Sequence, residues 1–247
     1  MAARMKHPQL RSIALLSLSV TATALAPSCV TKPVAPDEAT RGRDPKYLLD
    51  QACSVGRSVN SAKGSAFMKA KSPDAEGQFP VDVAAEAPSK LRLEVQNPIG
   101  GTEAIILVEG ERYELQVPKK KEAGEKGTGS WAGIPLRWAT DLFLGRVPCP
   151  RSEDIHSSKL NEKGSLVIQT TASVRGAAET FVFTFKKESG EPWPDTLHWE
   201  REGAFAVSVD FKFSDPESRT RSPQKWEAKS ARGEVKVRWR DRRISTH

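Results

Sequence analysis

A two-residue period recurs along most of this chain, and it limits the possible folds more than any other feature. Phe79, Val81 and Val83 alternate with smaller or polar residues, and Leu91, Leu93 and Val95 alternate with Arg92 and Glu94. Tyr113, Leu115 and Val117 repeat the pattern, as do Leu166 and Ile168, then Phe181, Phe183 and Phe185, then Leu197 and Trp199. Phe205, Val207, Val209, Phe211 and Phe213 follow, and Val235, Val237 and Trp239 close the series. Successive side chains of a strand point to opposite faces, so these rows read as strands with one apolar and one wet face. Gly, Pro and Asn separate them, which fits an antiparallel sheet. About ten to eleven strands are expected, a number that usually curls into a barrel or sandwich.

Two segments leave that period. Residues 44–60, DPKYLLDQACSVGRSVN, read as a helix. Asp44 can cap it, Pro45 suits the first turn, and Leu48, Leu49, Ala52, Val55 and Val59 recur at helical spacing, with Gly56 as a blemish. Residues 135–144, PLRWATDLFL, read as a second helix, with Pro135 near its first turn and Gly145 as its stop. Leu136, Ala139, Leu142 and Phe143 would form its apolar face. Before it, residues 119–130, KKKEAGEKGTGS, are charged and Gly-rich and are expected to form a mobile loop.

The N-terminus places the chain in the cell envelope. Residues 1–11 carry Arg4, Lys6 and Arg11 and no acid, and residues 12–26, SIALLSLSVTATALA, are apolar or small. That is the pattern of a secretory signal, too short for an ordinary membrane span. Ala24-Leu25-Ala26 fits an ordinary cleavage site, but Pro27 would follow the cut. Cys29 comes two residues later, and the sequence before it resembles a lipobox, in which the Cys becomes the acylated N-terminus. The expected organisation is a signal peptide over 1–28, a lipidated Cys29 with a flexible linker to 43, and a globular domain over 44–247. The linker residues 30–43 would reach roughly 40 Å if extended like polyproline. Val30 after the Cys favours outer-membrane over inner-membrane sorting. Cys53 and Cys149 remain; in an oxidising periplasm they form a disulfide or stay as two buried thiols, and spacing alone does not decide.

The formal charge of +7 invites a nucleic-acid reading. The signal segment holds three of the 38 basic groups and none of the 31 acidic ones, so the excess falls to +4 without it. That residue is spread along the chain and reads as a solvated surface, with no nucleic-acid partner. His7, His156, His198 and His247 are scattered without metal-ligand spacing. Ser130 in GTGSWAG is not a nucleophile elbow, and Gly127-x-Gly129-x-x-Ala132 lacks the strand–helix context of a dinucleotide site. No catalytic residue, metal site or cofactor is expected.

Two stretches carry a resemblance. LRLEVQNPIGGTEAIIL is strand, Asn-Pro-aliphatic-Gly turn, strand; AGIPLRWATDLFLGRVP is a Gly-x-Pro-Leu helix start, a helix and a Gly-x-x-Pro stop. Their order and separation resemble the LolB family of outer-membrane lipoproteins, which receive other lipoproteins from a periplasmic carrier. The resemblance implies a mainly β (α+β) fold, a half-open antiparallel β-barrel with short helices packed at its mouth. It implies that an acyl chain is held in an apolar cavity formed by Leu91, Leu93, Val95, Leu115, Phe181, Phe183, Phe185, Val207, Val209 and Phe211. The helix bearing Leu136, Trp138, Leu142 and Phe143 would be a lid. Ile99, between Pro98 and Gly100, would enter the inner leaflet of the outer membrane to deliver the cargo. The implied partners are lipoprotein acyl chains and a LolA-like carrier, and the chain is expected to be a monomer. A different class remains open: a structural or interaction lipoprotein of the same fold, with another apolar ligand or none.

Overall fold

The computed structural model describes residues 40–73, 75–118, 124–171, 177–188, 191–212 and 222–246, without side chains at 186–188 and 191–192. The signal segment, Cys29, most of the linker, Phe213 and residues 119–123 of the charged loop lie outside the described residues.

One helix precedes the sheet: α1, Pro45–Ser54, capped by the Asp44 side chain, which accepts from the Lys46 N–H at 3.0 Å. Thirteen strands then form one antiparallel sheet, and a two-stranded ribbon sits apart. The strands are β1 (Val59–Lys71), β2 (Glu76–Glu86), β3 (Lys90–Gln96), β4 (Thr102–Glu109), β5 (Arg112–Gln116), β6 (Glu125–Thr128), β7 (Ser130–Trp131), β8 (Ile134–Pro135), β9 (Ile155–Leu160), β10 (Leu166–Thr170), β11 (Glu179–Glu188), β12 (Glu191–Arg201), β13 (Val207–Lys212), β14 (Lys225–Ser230) and β15 (Gly233–Thr246). The spatial order is β6-β5-β4-β3-β2-β1-β15-β14-β13-β12-β11-β10-β9, so the sheet stays open, with β6 and β9 as edges; β7 and β8 form the ribbon.

The alternating rows face one way. Val81, Val83, Leu91, Leu93, Val95, Phe181, Phe183, Phe185, Val207, Val209, Phe211, Val237 and Trp239 are all buried. At the sheet's centre the inward residues are small: Ala62 and Ala66 on β1, Ala85 on β2 and Ala228 on β14. Small side chains there let a helix approach the sheet closely. That helix is α2, Ala139–Leu144, which follows a 3-10 turn over Leu136–Trp138 and packs on β1, β2 and β3. The other helix, α1, packs on β9, β10 and β12.

The structure differs from the sequence expectation in several places. The first helix stops at Ser54; the chain then turns at Gly56, with φ +65, and Val59 already belongs to β1. Gly56 is therefore no blemish in a helix. A Cβ there would lie 2.3 Å from the Gly145 carbonyl oxygen, so its absence lets the ends of α1 and α2 meet. Pro135 and Leu136 precede the second helix rather than lie in it. The charged loop supplies β6 and the start of the ribbon. Phe205 sits in the β12–β13 turn at 44% exposure, not in the strand row. The strand count exceeds the expectation because β6 and β9 carry little apolar alternation and pair through their backbones.

Candidate functional site

Ile99 occupies a turn built by its neighbours. The Asn97 Oδ1 accepts from the Ile99 N–H at 3.1 Å and the Gly101 N–H at 2.8 Å. The Gly100 N–H donates to the Asn97 carbonyl at 3.0 Å, and the Asn97 N–H to the Gly101 carbonyl at 2.8 Å. An Asn side chain that substitutes for backbone partners is a common turn former. Gly100 takes φ +88, a conformation L-residues avoid. These constraints leave Ile99 93% exposed, with Pro98 and Gly100 exposed beside it.

The apolar face of the sheet is covered by α1 over β9, β10 and β12, and by α2 and its preceding turn over β1, β2 and β3. Leu136, Trp138, Leu142 and Phe143 are all buried against it. Trp138 meets Trp199 edge-on with centroids 5.1 Å apart, and Phe143 meets Trp226 at 5.3 Å and Trp239 at 6.4 Å, both edge-to-face. Edge-to-face contacts of this kind each add about 0.5–1.5 kcal/mol beyond burial. The indole N–H groups of Trp199, Trp226 and Trp239 are buried and find no hydrogen-bond acceptor among the described residues. Of the ten residues expected to line a cavity, nine lie in this packed core, and Leu115 on β5 is half-buried.

The two ends of α2 are held differently. At the C-terminal end Gly145 takes φ +75, and its N–H donates to the carbonyls of Asp141 and Leu142. Ser222 donates to the carbonyls of Leu144 at 3.3 Å and Gly145 at 3.4 Å, and Arg146 to the Val59 carbonyl at 2.6 Å. Arg242 donates to the carbonyls of Pro223 and Ser222, and burial pushes its guanidinium pKa down to about 10. Burial also raises the Asp141 carboxyl above its ordinary range, against the opposing pull of Arg146 at 3.6 Å. Five residues past the end of the helix at Leu144, Cys149 is bonded to Cys53 of α1, with Cα atoms 5.9 Å apart. At the N-terminal end Pro135 provides no side-chain cap. The fastenings there are the Leu136 N–H to the Gly129 carbonyl at 3.0 Å and the Arg137–Glu179 ion pair at 2.6 Å.

An open cleft of about 960 Å³ lies elsewhere, around the β2–β3 turn. Lys63, Glu86, Lys90, Arg92, Glu109 and Arg146 give it a charged lining, and of the expected cavity residues Leu91 alone borders it. Among the described residues no group of three His, Cys, Asp or Glu could hold a metal ion, and no helix is long and apolar enough to cross a membrane.

Sequence reasoning missed Trp226 and Trp193 as core residues. Trp226 and Ala228 in KWEAKS form a single alternation, too short to stand out.

The architecture is a LolA-like fold: mainly β, one large antiparallel sheet left open, and short helices on its apolar face. No protein-family model and no curated protein matches the chain. Solved structures do. A LolA superfamily protein from Nitrosomonas europaea aligns with TM-score 0.50 and 11% identity, over 82% of this chain and 94% of that one. A Vibrio parahaemolyticus structure described as an outer membrane lipoprotein-sorting protein domain aligns with TM-score 0.51 and 10% identity, over 82% and 92%. A DUF1329 family protein from Desulfovibrio piger gives TM-score 0.50 and 9% identity, over 85% and 94%. At these identities the likeness is one of fold.

Proposed function

We propose that the chain is an outer-membrane lipoprotein of the LolB kind, anchored through Cys29 and facing the periplasm. It takes a lipoprotein acyl chain from a LolA-like carrier, holds it on the apolar face of the sheet, and passes it to the membrane beside Ile99. It acts as a monomer and performs no chemistry. One observation carries this reading: two short helices and a 3-10 turn, not a second sheet, cover a wide apolar face, and α2 with its turn covers β1, β2 and β3. Such a cover can be displaced without breaking the sheet. An acyl chain would replace Trp138 and Phe143 against Trp199, Trp226 and Trp239. The names of two structural neighbours, a LolA superfamily protein and a lipoprotein-sorting domain, agree with it.

A second reading has its own observation. The apolar face is filled by the protein's own aromatic side chains, as expected of a structural envelope lipoprotein that keeps the fold and binds nothing. Native mass spectrometry of the purified chain separates the two. Co-purified acyl mass that is lost on organic extraction supports the first reading; its absence after expression with lipoproteins and carrier supports the second.

A further inference from the structure

We infer that the outer face of the sheet carries a cationic docking line for an anionic phospholipid surface, and that this line runs toward the base of the Ile99 turn. Strand register defines it. Lys212 on β13 pairs with Lys225 on β14, Lys225 pairs with Arg238 on β15, Arg238 pairs with Phe67 on β1, and Phe67 pairs with Pro80 on β2. The next strand in the sheet is β3, which ends at Gln96, paired with Thr102 across the turn that presents Ile99. All three cations are exposed. Arg238 and Arg240 both lie over the Phe67 ring, at 5.7 Å and 5.3 Å.

Like charges directly opposite one another on adjacent strands are destabilising. The adjacent rows of this same face offset their like charges. Lys236 directly opposes Lys69 and Asp210 opposes Glu227, but Lys69 reaches Glu76 at 2.8 Å and Lys236 reaches Glu234 at 2.9 Å; one row further, Lys229 opposes Glu234, Glu234 opposes Lys71, and Lys71 opposes Glu76. Glu227 holds Lys229 and, at 3.2 Å, Lys236. On the other side Asp241 is engaged by Ser65, and Asp82 accepts from Gln96. Among the described residues no carboxylate pairs with Lys212, Lys225 or Arg238. A sheet that gives the cations of the adjacent rows a carboxylate and leaves Lys212, Lys225 and Arg238 without one keeps these three for an outside anion. Two strand spacings of about 4.8 Å separate Lys212 from Arg238, so the cations span about 10 Å, and two more spacings carry the row through Phe67 to Pro80; that is wider than a single-ion site.

The occupant is a bilayer rather than an acidic protein because of what lies near the line's end. An aliphatic side chain almost fully in water, at the turn toward which a row of exposed cations and a half-buried aromatic runs, is the combination that enters the headgroup and acyl boundary. The inference rests on the membrane-facing reading of Ile99 for the choice of occupant, but not for the existence of the line.

The test uses the full mature, acylated chain in vesicles. A nitroxide is placed at Gln78, exposed on β2 beside the line, or at Ile99, each through a single Cys substitution, with Glu111 in the far β4–β5 turn as control. The readout is collision with a water-soluble nickel chelate. In vesicles containing phosphatidylglycerol, labels at 78 and 99 should be shielded, the label at 111 should not, and high salt or pure phosphatidylcholine should release position 78. Each cation near such a surface contributes roughly a fivefold bias. Lys225→Gln with Arg238→Gln should therefore lower the docked-to-undocked ratio by about 25-fold without lowering the melting temperature. Shielding at 99 alone would overturn the cationic line and keep the Ile99 reading; shielding at 78 alone would do the reverse. No shielding at either position, or shielding indifferent to lipid charge, would overturn the inference and return the line to an acidic protein or to no partner.

Discussion

Phe143→Ala should move stability and ligand affinity in opposite directions. The Phe143 ring is buried and stands edge-on to Trp226 and Trp239. Truncating a buried Phe costs about 3–5 kcal/mol, counting the void it leaves. For a domain of this size each kcal/mol lowers the melting temperature by about 2–4 °C, so a fall of about 6–20 °C is expected. If α2 covers the place an acyl chain would take, most of that loss falls on the covered state. An uncovered state that is rare limits apparent affinity by its population. At about 1.4 kcal/mol per factor of ten, removing ~3 kcal/mol from the covered state should tighten binding of a fluorescent fatty acid by about 100-fold. Thermal unfolding followed by circular dichroism gives the first quantity, and fluorescence titration gives the second. Affinity that falls with stability, or does not change, would refute the idea that helix and acyl chain compete. A melting temperature lowered by only a degree or two would mean that the Phe143 contacts are not what holds α2 down.

Three further expectations follow from the geometry. Replacing Cys53 and Cys149 by Ala frees a loop of 96 residues' separation and should lower the unfolding free energy by about 2–4 kcal/mol in denaturant titration. Asp141 binds its proton more tightly in the folded chain than at its ordinary value of 3.8. Folding stability from this group is therefore full below that value and is lost as pH rises through the elevated one. Asp141→Asn should be more stable than wild type at neutral pH, with the gain vanishing below about pH 4 in parallel melts. Ile99→Glu touches no core, so its unfolding free energy should stay within ~0.5 kcal/mol of wild type, while delivery of bound lipoprotein to vesicles should slow. A steep loss of stability would show that the turn folds back onto the sheet.

The sequence shows where apolar residues alternate, and there its reading is good. Phe181, Phe183 and Phe185 face the core as their spacing requires, the Asp44 cap and Pro45 begin α1, and Gly145 ends α2 in the left-handed conformation. It fails where pairing is carried by backbone hydrogen bonds alone. The β6 strand is EKGT and has no apolar residue to mark a face. Phe205 continues a perfect alternation into Val207, yet the chain has already turned at Gly203, where φ is +73. The filling of the apolar face by α2 is invisible in sequence for another reason. Trp138 and Phe143 would look the same whether they plugged the sheet or only capped it, and the difference lies in Ala62, Ala66 and Ala228 making room on strands far away in the chain.

The seam between β1 and β15 has a consequence for biogenesis. Two meanders, one running from β1 to β6 and the other from β9 to β15, are joined only where the first strand pairs with the last. A chain synthesised N-terminus first must hold β1 with one edge unpaired, and its half of the apolar face uncovered, until β15 has been made. Pairing over such a separation is slow, because loop closure must precede any reward from contact. Exposed edges and apolar faces are what chains aggregate through while they wait. The order of the strands therefore leaves closure of the middle of the sheet to the last strand made, and the risk of aggregation lasts until it arrives.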